Sequence, residues 1–282
     1  FLAGAAAGRE AALTLALASQ AIEAIHAQLL MLAFVMARLL GVMAIAPAFE
    51  RLGLTNMMRA AAAFAFAVPM VVFASPSAFE SGPPTMFVGA GIALKEAMVG
   101  FVIGFIFGIP FWAAQAAGDI MDLQRGSTAG TLVDPSSGTD AGVSGTFLTL
   151  AMLAMFFSAN GIDVMVSAVY ESYRLWPLDR LWPQLELADA LVVLRLLNDI
   201  VILGVLMAAP VMAALLIADV VLAFVARAAP QLNVFSLSMA LKNAVFMLLM
   251  VVYCSFLATY MRDGLAYTLN SAAVLRELAP RP

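Results

Sequence analysis

Residues 86–117 read MFVGAGIALKEAMVGFVIGFIFGIPFWAAQAA. The run is apolar on nearly every side, so it offers water no polar face and belongs to a helix enclosed by lipid or protein. At about 1.5 Å rise per residue a straight helix of this length runs close to 50 Å, more than the roughly 30 Å of a bilayer core. Pro110 lies inside it and is able to kink or split the helix. Gly100, Gly104 and Gly108 recur every fourth residue, which puts three positions without side chains on one helix face and lets another backbone approach closely. Lys95 and Glu96 sit in the middle of this apolar run. Being adjacent, they splay about 100° apart, and the spacing predicts different neighbours for each.

The rest of the chain repeats that character. Of 282 residues, 64% are hydrophobic and 11% charged, against about 25% charged in ordinary soluble domains. Mean hydropathy is +1.00. Too little polar surface exists for a free cytosolic enzyme. Further apolar blocks span 27–49, 60–75, 145–169, 188–226 and 235–261, none with strand alternation. The 188–226 block is too long for one straight crossing, and a bend or hairpin is expected at Ala208-Ala209-Pro210. The fold class is therefore all-α and polytopic, with six to eight apolar helices in hairpins forming one membrane-associated domain over 1–282. Basic residues divide evenly between the two sets of loops, so no orientation follows.

The sequence opens at Phe1 rather than Met, and residues upstream are expected. Arg9 to Ala21 superficially copies a signal peptide, yet Glu10 beside Arg9 and the Ala-rich run favour an amphipathic helix over 1–26. A C-terminal tail is expected over 262–282. The net charge of −4 gives no basic face for nucleic acid. Cys254 is the only cysteine and His26 the only histidine. Disulfides, thiolate metal cages and Ser-His-Asp chemistry are thereby excluded within one chain. His26 is read as a surface or helix-start residue, and no metal or cofactor is expected.

Ionisable groups inside apolar blocks carry most of the information: Arg38, Lys95, Glu96, Arg195, Asp199 and Asp219. Each would cost about 2.5–3.5 kcal/mol at a lipid-facing helix centre, so each needs a partner, water or protein around it. Asp199 follows Arg195 by one turn, which allows mutual neutralisation in the weaker order. Glu96 and Asp219 have no opposite charge three or four residues away. One reading makes either a proton site in a coupled transporter. The preferred reading makes these groups structural links within an assembly of several chains.

Residues 124–145, QRGSTAGTLVDPSSGTDAGVSG, contain five glycines, four serines and one proline, and no long helix is expected there. The composition suits a segment that moves or is squeezed into a narrow space. Near the other end, Pro230 is expected to terminate a helix, Asn233 or Ser236 to cap the next, and Arg227 to sit at a helix C-terminus. Lys242 then falls within an apolar helix, placed to meet Asp219 or a partner's carboxylate.

In order along the chain, these residues resemble the export-gate family called SctT in injectisomes and FliR in flagella. Arg38, Gly41 and Pro47 with Arg59 are similar to its first stretch, and Lys95-Glu96 with Gly100 and Gly104 to its charged, glycine-spaced helix. Gly118 to Gly126, with Asp134-Pro135 and Gly138, resembles the central loop motif. Ser172-Tyr173 and Trp176-Pro177 resemble a later segment. Arg227, Pro230, Gln231, Asn233 and Phe235, followed by Lys242, match the late signature. The Gln-Arg-Gly of the loop and the late run are the specific parts, and Arg125 looks more like the injectisome branch.

The resemblance implies a non-enzymatic subunit of a type III secretion export apparatus in the bacterial inner membrane, passing unfolded polypeptides. It further implies one copy per gate, alongside several copies of SctR and SctS, with SctU at the entrance, SctV nearby and lipid around. The helices would form a stack partly raised out of the bilayer. The loop would project into the channel, with a plug over 124–138 that includes Gln124, Gly126, Asp134, Pro135 and Gly138, and with Asp122 and Arg125 near its root. Arg38, Pro47, Lys95, Glu96, Gly100, Gly104, Arg195, Asp199, Asp219, Arg227, Pro230, Asn233 and Lys242 would serve structural or intersubunit roles. An intramembrane enzyme finds no support, since there is no HExxH and no paired aspartate motif.

Overall fold

The computed structural model describes residues 2–73, 84–126, 142–178, 187–229, 231 and 234–269. Every regular element among them is a helix: α1 (Leu2–Ile45), α2 (Pro47–Arg51), α3 (Asn56–Phe73), α4 (Met86–Arg125), α5 (Val143–Ser158), α6 (Gly161–Leu175), α7 (Leu187–Ala228) and α8 (Val234–Leu269). Four of these contain stretches long and apolar enough to cross a membrane: Thr14–Ile45, Met86–Arg125, Leu197–Ala228 and Leu237–Ala266. The α5–α6 pair, bent by 72°, adds a fifth if it serves as one broken span. The all-α polytopic class stands, with fewer crossings than the six to eight expected.

Three local differences from the sequence expectation stand out. Pro110 and Pro210 lie inside uninterrupted helices, α4 and α7, and no hairpin forms at Ala208-Ala209-Pro210. A proline removes one intrahelical hydrogen bond, at about 3 kcal/mol. Breaking the helix in apolar surroundings would strand several backbone groups at several kcal/mol each, so continuity wins. The 60–75 block becomes α3, whose apolar part, Asn56–Val71, is too short to span. The amphipathic helix expected over 1–26 is not separate, because α1 runs 44 residues without a break and carries His26, exposed, in its interior.

The 145–169 block, in contrast, does break. Asn160 takes a left-handed backbone (φ 55°) between α5 and α6, a conformation that asparagine tolerates better than most residues. At Gly161 a Cβ would run into the Phe156 ring, so the Asn-Gly pair is the break signal within an otherwise apolar run.

The chain divides into two compact units. The first comprises Phe1–Ile45, Gly53–Gly104 and Val169–Pro183. Its core includes Met31, Phe34, Ile92 and Leu178, with Tyr173 and Val71 packed against them. Here α1 and α4 touch backbone to backbone. A Cβ on Gly100 would collide with the Arg38 carbonyl oxygen, and one on Gly104 would lie 2.6 Å from the Val42 carbonyl oxygen. Gly108 does something else, since a Cβ there would first meet the Trp112 ring of its own helix. Gly100→Ala is therefore expected to force the helices apart at a cost of about 1–3 kcal/mol, the usual penalty for overpacking. Gly108→Ala, which needs only a side chain to shift, should cost less. Thermal unfolding of the detergent-purified variants would show equal losses if this assignment were wrong.

The second unit comprises Ala46–Leu52, Phe105–Ala168 and Gln184–Pro282. Pro47 opens α2 at a position where its missing N–H costs nothing, and it is buried with Ala48 and Phe49. Phe107, Phe111, Met121, Leu148, Met152 and Phe156 fill the interior, with Phe111 and Phe156 edge to face at 5.5 Å. Helices α7 and α8 pair through buried Met207, Val211, Leu215, Tyr253 and Leu257, and the Tyr253 hydroxyl donates to the Met207 carbonyl at 3.2 Å.

Candidate functional site: a buried ion cluster and a capped loop base

The first unit encloses Arg38 and Glu96 completely and leaves Lys95 7% exposed. Arg38 projects from α1 and uses all three guanidinium nitrogens. Nε donates to Glu96 Oε2 at 2.6 Å, Nη1 to Ser172 Oγ at 2.7 Å, and Nη2 to the Trp176 carbonyl at 2.9 Å. Its guanidinium also lies 3.6 Å from the centroid of the Tyr173 ring. Lys95 Nζ donates to the Pro177 carbonyl at 2.8 Å and pairs with Glu96 Oε1 at 2.8 Å. Two cations thus share one carboxylate, and the surplus positive charge points at carbonyls just beyond the C-terminus of α6. Such carbonyls lack helical partners and carry the negative end of the helix dipole.

Two expectations gain detail here. Lys95 and Glu96 do address different neighbours, the Pro177 carbonyl and Arg38, but they also meet each other, because the long lysine stem bends back to the carboxylate where α6 ends. Arg38, Lys95, Glu96 and Asp219 each also have an opposite charge within this chain, although Arg38 and Lys95 share theirs. Contacts between residues far apart in sequence supply what helical spacing did not show. Arg195 and Asp199 stand apart. Arg195 is exposed, Asp199 half-buried, and the ion pairs among the described residues do not join them.

The second unit contains the base of the central loop. α4 ends at Arg125, and Gly126 follows in the left-handed region (φ 78°), its N–H donating to the Leu123 carbonyl at 3.1 Å. This is a glycine helix stop. On the far side of the loop α5 begins after Gly142, which has no side chain to cap the helix. Asp122 of α4 does so instead. Its Oδ2 accepts the Ser144 backbone N–H at 2.8 Å, and its Oδ1 accepts the Ser144 hydroxyl at 2.6 Å. A carboxylate at a helix N-terminus is favoured by the free N–H groups and by the helix dipole. Close approach demands glycine on both sides. A Cβ on Gly118 would collide with the backbone of Ser144 and Gly145, and one on Gly145 with the Asp119 carboxylate.

Two cations finish the arrangement. Arg125 is buried, its Nη2 donates to Asp122 Oδ1 at 2.5 Å, and its guanidinium carbon lies 4.3 Å from the centroid of the Phe246 ring. Lys242 of α8 pairs with Asp219 of α7 at 2.6 Å, as the sequence allowed, and also donates to the Gln124 carbonyl at 3.2 Å.

The structure thus brings together Asp122, Gln124, Arg125, Gly126, Lys242 and Asp219 in this unit, and Arg38, Lys95 and Glu96 in the other. Asp134, Pro135, Gly138, Pro230 and Asn233 lie outside the described residues. Arg227 is exposed in the last turn of α7. Sequence reasoning missed Ser144 and Phe246 as members of the site. Phe246 was findable, because it stands one helical turn after Lys242.

A family model described as "Bacterial export proteins, family 1" matches residues 29–267. Yop proteins translocation protein T of Yersinia pestis is 32% identical to this chain over 181 residues, covering 64% of it and 69% of that protein. Surface presentation of antigens protein SpaR of Salmonella typhimurium is 32% identical over 182 residues, covering 64% and 67%. Flagellar biosynthetic protein FliR of Bacillus subtilis is 29% identical over 229 residues, covering 80% and 83%.

Proposed function

This chain belongs to family 1 of the bacterial export proteins, and from that premise we propose that it builds and closes the entry pore of a type III secretion apparatus. It is a secretion-apparatus subunit and a multi-pass protein of the bacterial inner membrane, by its relatives and its apolar helices. Within that role, unfolded polypeptides pass through a pore that this chain helps to line, and the segment between α4 and α5 closes it. No bond is made or broken by this subunit. SctR and SctS surround it in the gate, SctU lies at the entrance and SctV nearby.

One observation supports the closing role above the others: both ends of the central segment are fastened at one place. Asp122 before it and Ser144 after it share two hydrogen bonds. The described ends of the segment therefore meet at a single anchored base, which supports a closing role for it. Deleting Ser127 to Gly138 is expected to leave assembly intact, because the base lies outside the deletion. The same deletion should make the inner membrane leak small solutes. Unchanged permeability in cells that assemble the complex would remove the closing role while leaving the family assignment in place.

A further inference from the structure

Helix α8 grips the base of the central segment at two points one turn apart. Residues i and i+4 share a helix face, and on α8 those are Lys242 and Phe246. Lys242 holds the Gln124 carbonyl at the C-terminal end of α4, where a cation is favoured by unsatisfied carbonyls. Phe246 lies against the guanidinium of Arg125, the next residue.

Arg125 depends on that ring more than its ion pair suggests. Its Nε is buried without a hydrogen-bond partner, and its contact with Asp122 runs through Nη2 alone. It does not form the two-pronged clasp that would fix a guanidinium on a carboxylate. The aromatic face, together with Asp122, therefore sets where the guanidinium lies, and through Asp122 it bears on where the first turn of α5 is capped. Lys242 is fixed in turn by Asp219, whose carboxylate is the most exposed group of the set at 37%. The connected order is Asp219, Lys242 and the end of α4 on one side, and Phe246, Arg125, Asp122 and Ser144 on the other.

We propose that Lys242 and Phe246 are positioning residues, by which α8 determines whether the two ends of the central segment stay together. The inference rests on the closing role proposed above for its consequence in the cell, but not for the geometry it asserts. A shift of α8 would loosen both grips at once, because they lie on the same face.

The test uses the assembled complex. Leu123 and Val143 flank the base and are both well exposed, so spin labels on Leu123→Cys and Val143→Cys in a Cys254→Ser background report the separation of the two ends. The native side chains should give one narrow distance distribution. Phe246→Leu and Lys242→Met should each broaden it, and each should raise small-solute leak about fivefold, the population shift expected when a cation–π contact or partly buried ion pair is lost. Phe246→Tyr and Lys242→Arg should restore both readouts, which a general loss of stability would not do. Asp219→Asn, at the half-exposed end of the series, should give a smaller broadening and serves if either larger change blocks assembly. A narrow distribution in Phe246→Leu, Lys242→Met and Asp219→Asn overturns the positioning role. Broadening without leak, in a background where the Ser127 to Gly138 deletion also fails to leak, keeps the positioning role and overturns the closing role instead.

Discussion

Glu96→Gln is expected to deplete the folded protein from the membrane, although the change swaps one atom and preserves shape. Glu96 is the only carboxylate in contact with Arg38 and Lys95 among the ion pairs of the described residues, and it is fully enclosed. An amide in its place offers one acceptor to two cations, and turns its own donors towards the other. Removing one partner from a buried pair costs about 3–5 kcal/mol, because a charge is left without compensation. Total folding stability is on the order of 5–15 kcal/mol, so the loss is a large share of the whole. Quantifying the variant in the membrane fraction, together with its resistance to limited proteolysis, checks the expectation. Wild-type amounts of protease-resistant protein would refute it.

A companion variant separates structure from transport. Arg38→Met, Lys95→Met and Glu96→Leu together remove every charge of the cluster, and apolar replacement of a complete buried ion group is often neutral or stabilising. Ser172 and the carbonyls of Trp176 and Pro177 lose their donors, so recovery should be large but incomplete. If this triple variant folds and secretes, the cluster is a fastening between α1, α4 and α6. If it folds but secretion stops, the proton-site reading of Glu96, with uptake of protons measurable in liposomes, gains the support that the geometry withholds.

Which residues matter was more legible in the sequence than what each one touches. Ionisable groups inside apolar helices mark themselves by their cost, and Arg38, Lys95, Glu96, Asp219 and Lys242 all prove to be paired. Their partners were not legible, since helical spacing reveals only neighbours three or four residues apart. Arg38 meets Glu96 across 58 positions and Ser172 across 134, and such meetings are decided by how helices cross. The same limit explains the misplaced hairpin at Pro210. Local preference weighs one lost hydrogen bond, whereas the apolar surroundings weigh every backbone group that a break would strand. Gly100 and Gly104 are points of close approach as their spacing implies, while Gly108 shares that spacing and has its own helix's Trp112 as its nearest neighbour. At the loop base, Gly142 offered no cap of its own, which in hindsight signals that the capping oxygen comes from elsewhere. The source, Asp122, lies twenty-two positions before the Ser144 N–H that it caps.

Asp122→Ala is expected to have an effect of comparable size, and a graded series can divide that effect into its two causes. The carboxylate both caps α5 and neutralises Arg125. Loss of a capping oxygen costs about 0.5–2 kcal/mol, and loss of the counter-charge to a buried arginine costs about 3–5 kcal/mol. Asp122→Asn retains an oxygen for the Ser144 N–H, and asparagine caps helices about as well as aspartate, but the charge is gone. Adding Arg125→Met to Asp122→Asn removes the cation that was left alone. Stability should therefore rise from Asp122→Ala to Asp122→Asn and again to the double variant. Hydrogen exchange at the Ser144 amide should follow a different order. It should be fast in Asp122→Ala and slow in both variants that keep an oxygen, because the amide senses the cap and not the charge. Slow exchange in a folded Asp122→Ala protein would mean that α5 is capped by some other group. The loop base would then be held by Arg125 and Lys242 alone, and the fastening between α4 and α5 would have to be assigned to their glycine contact at Gly118 and Gly145.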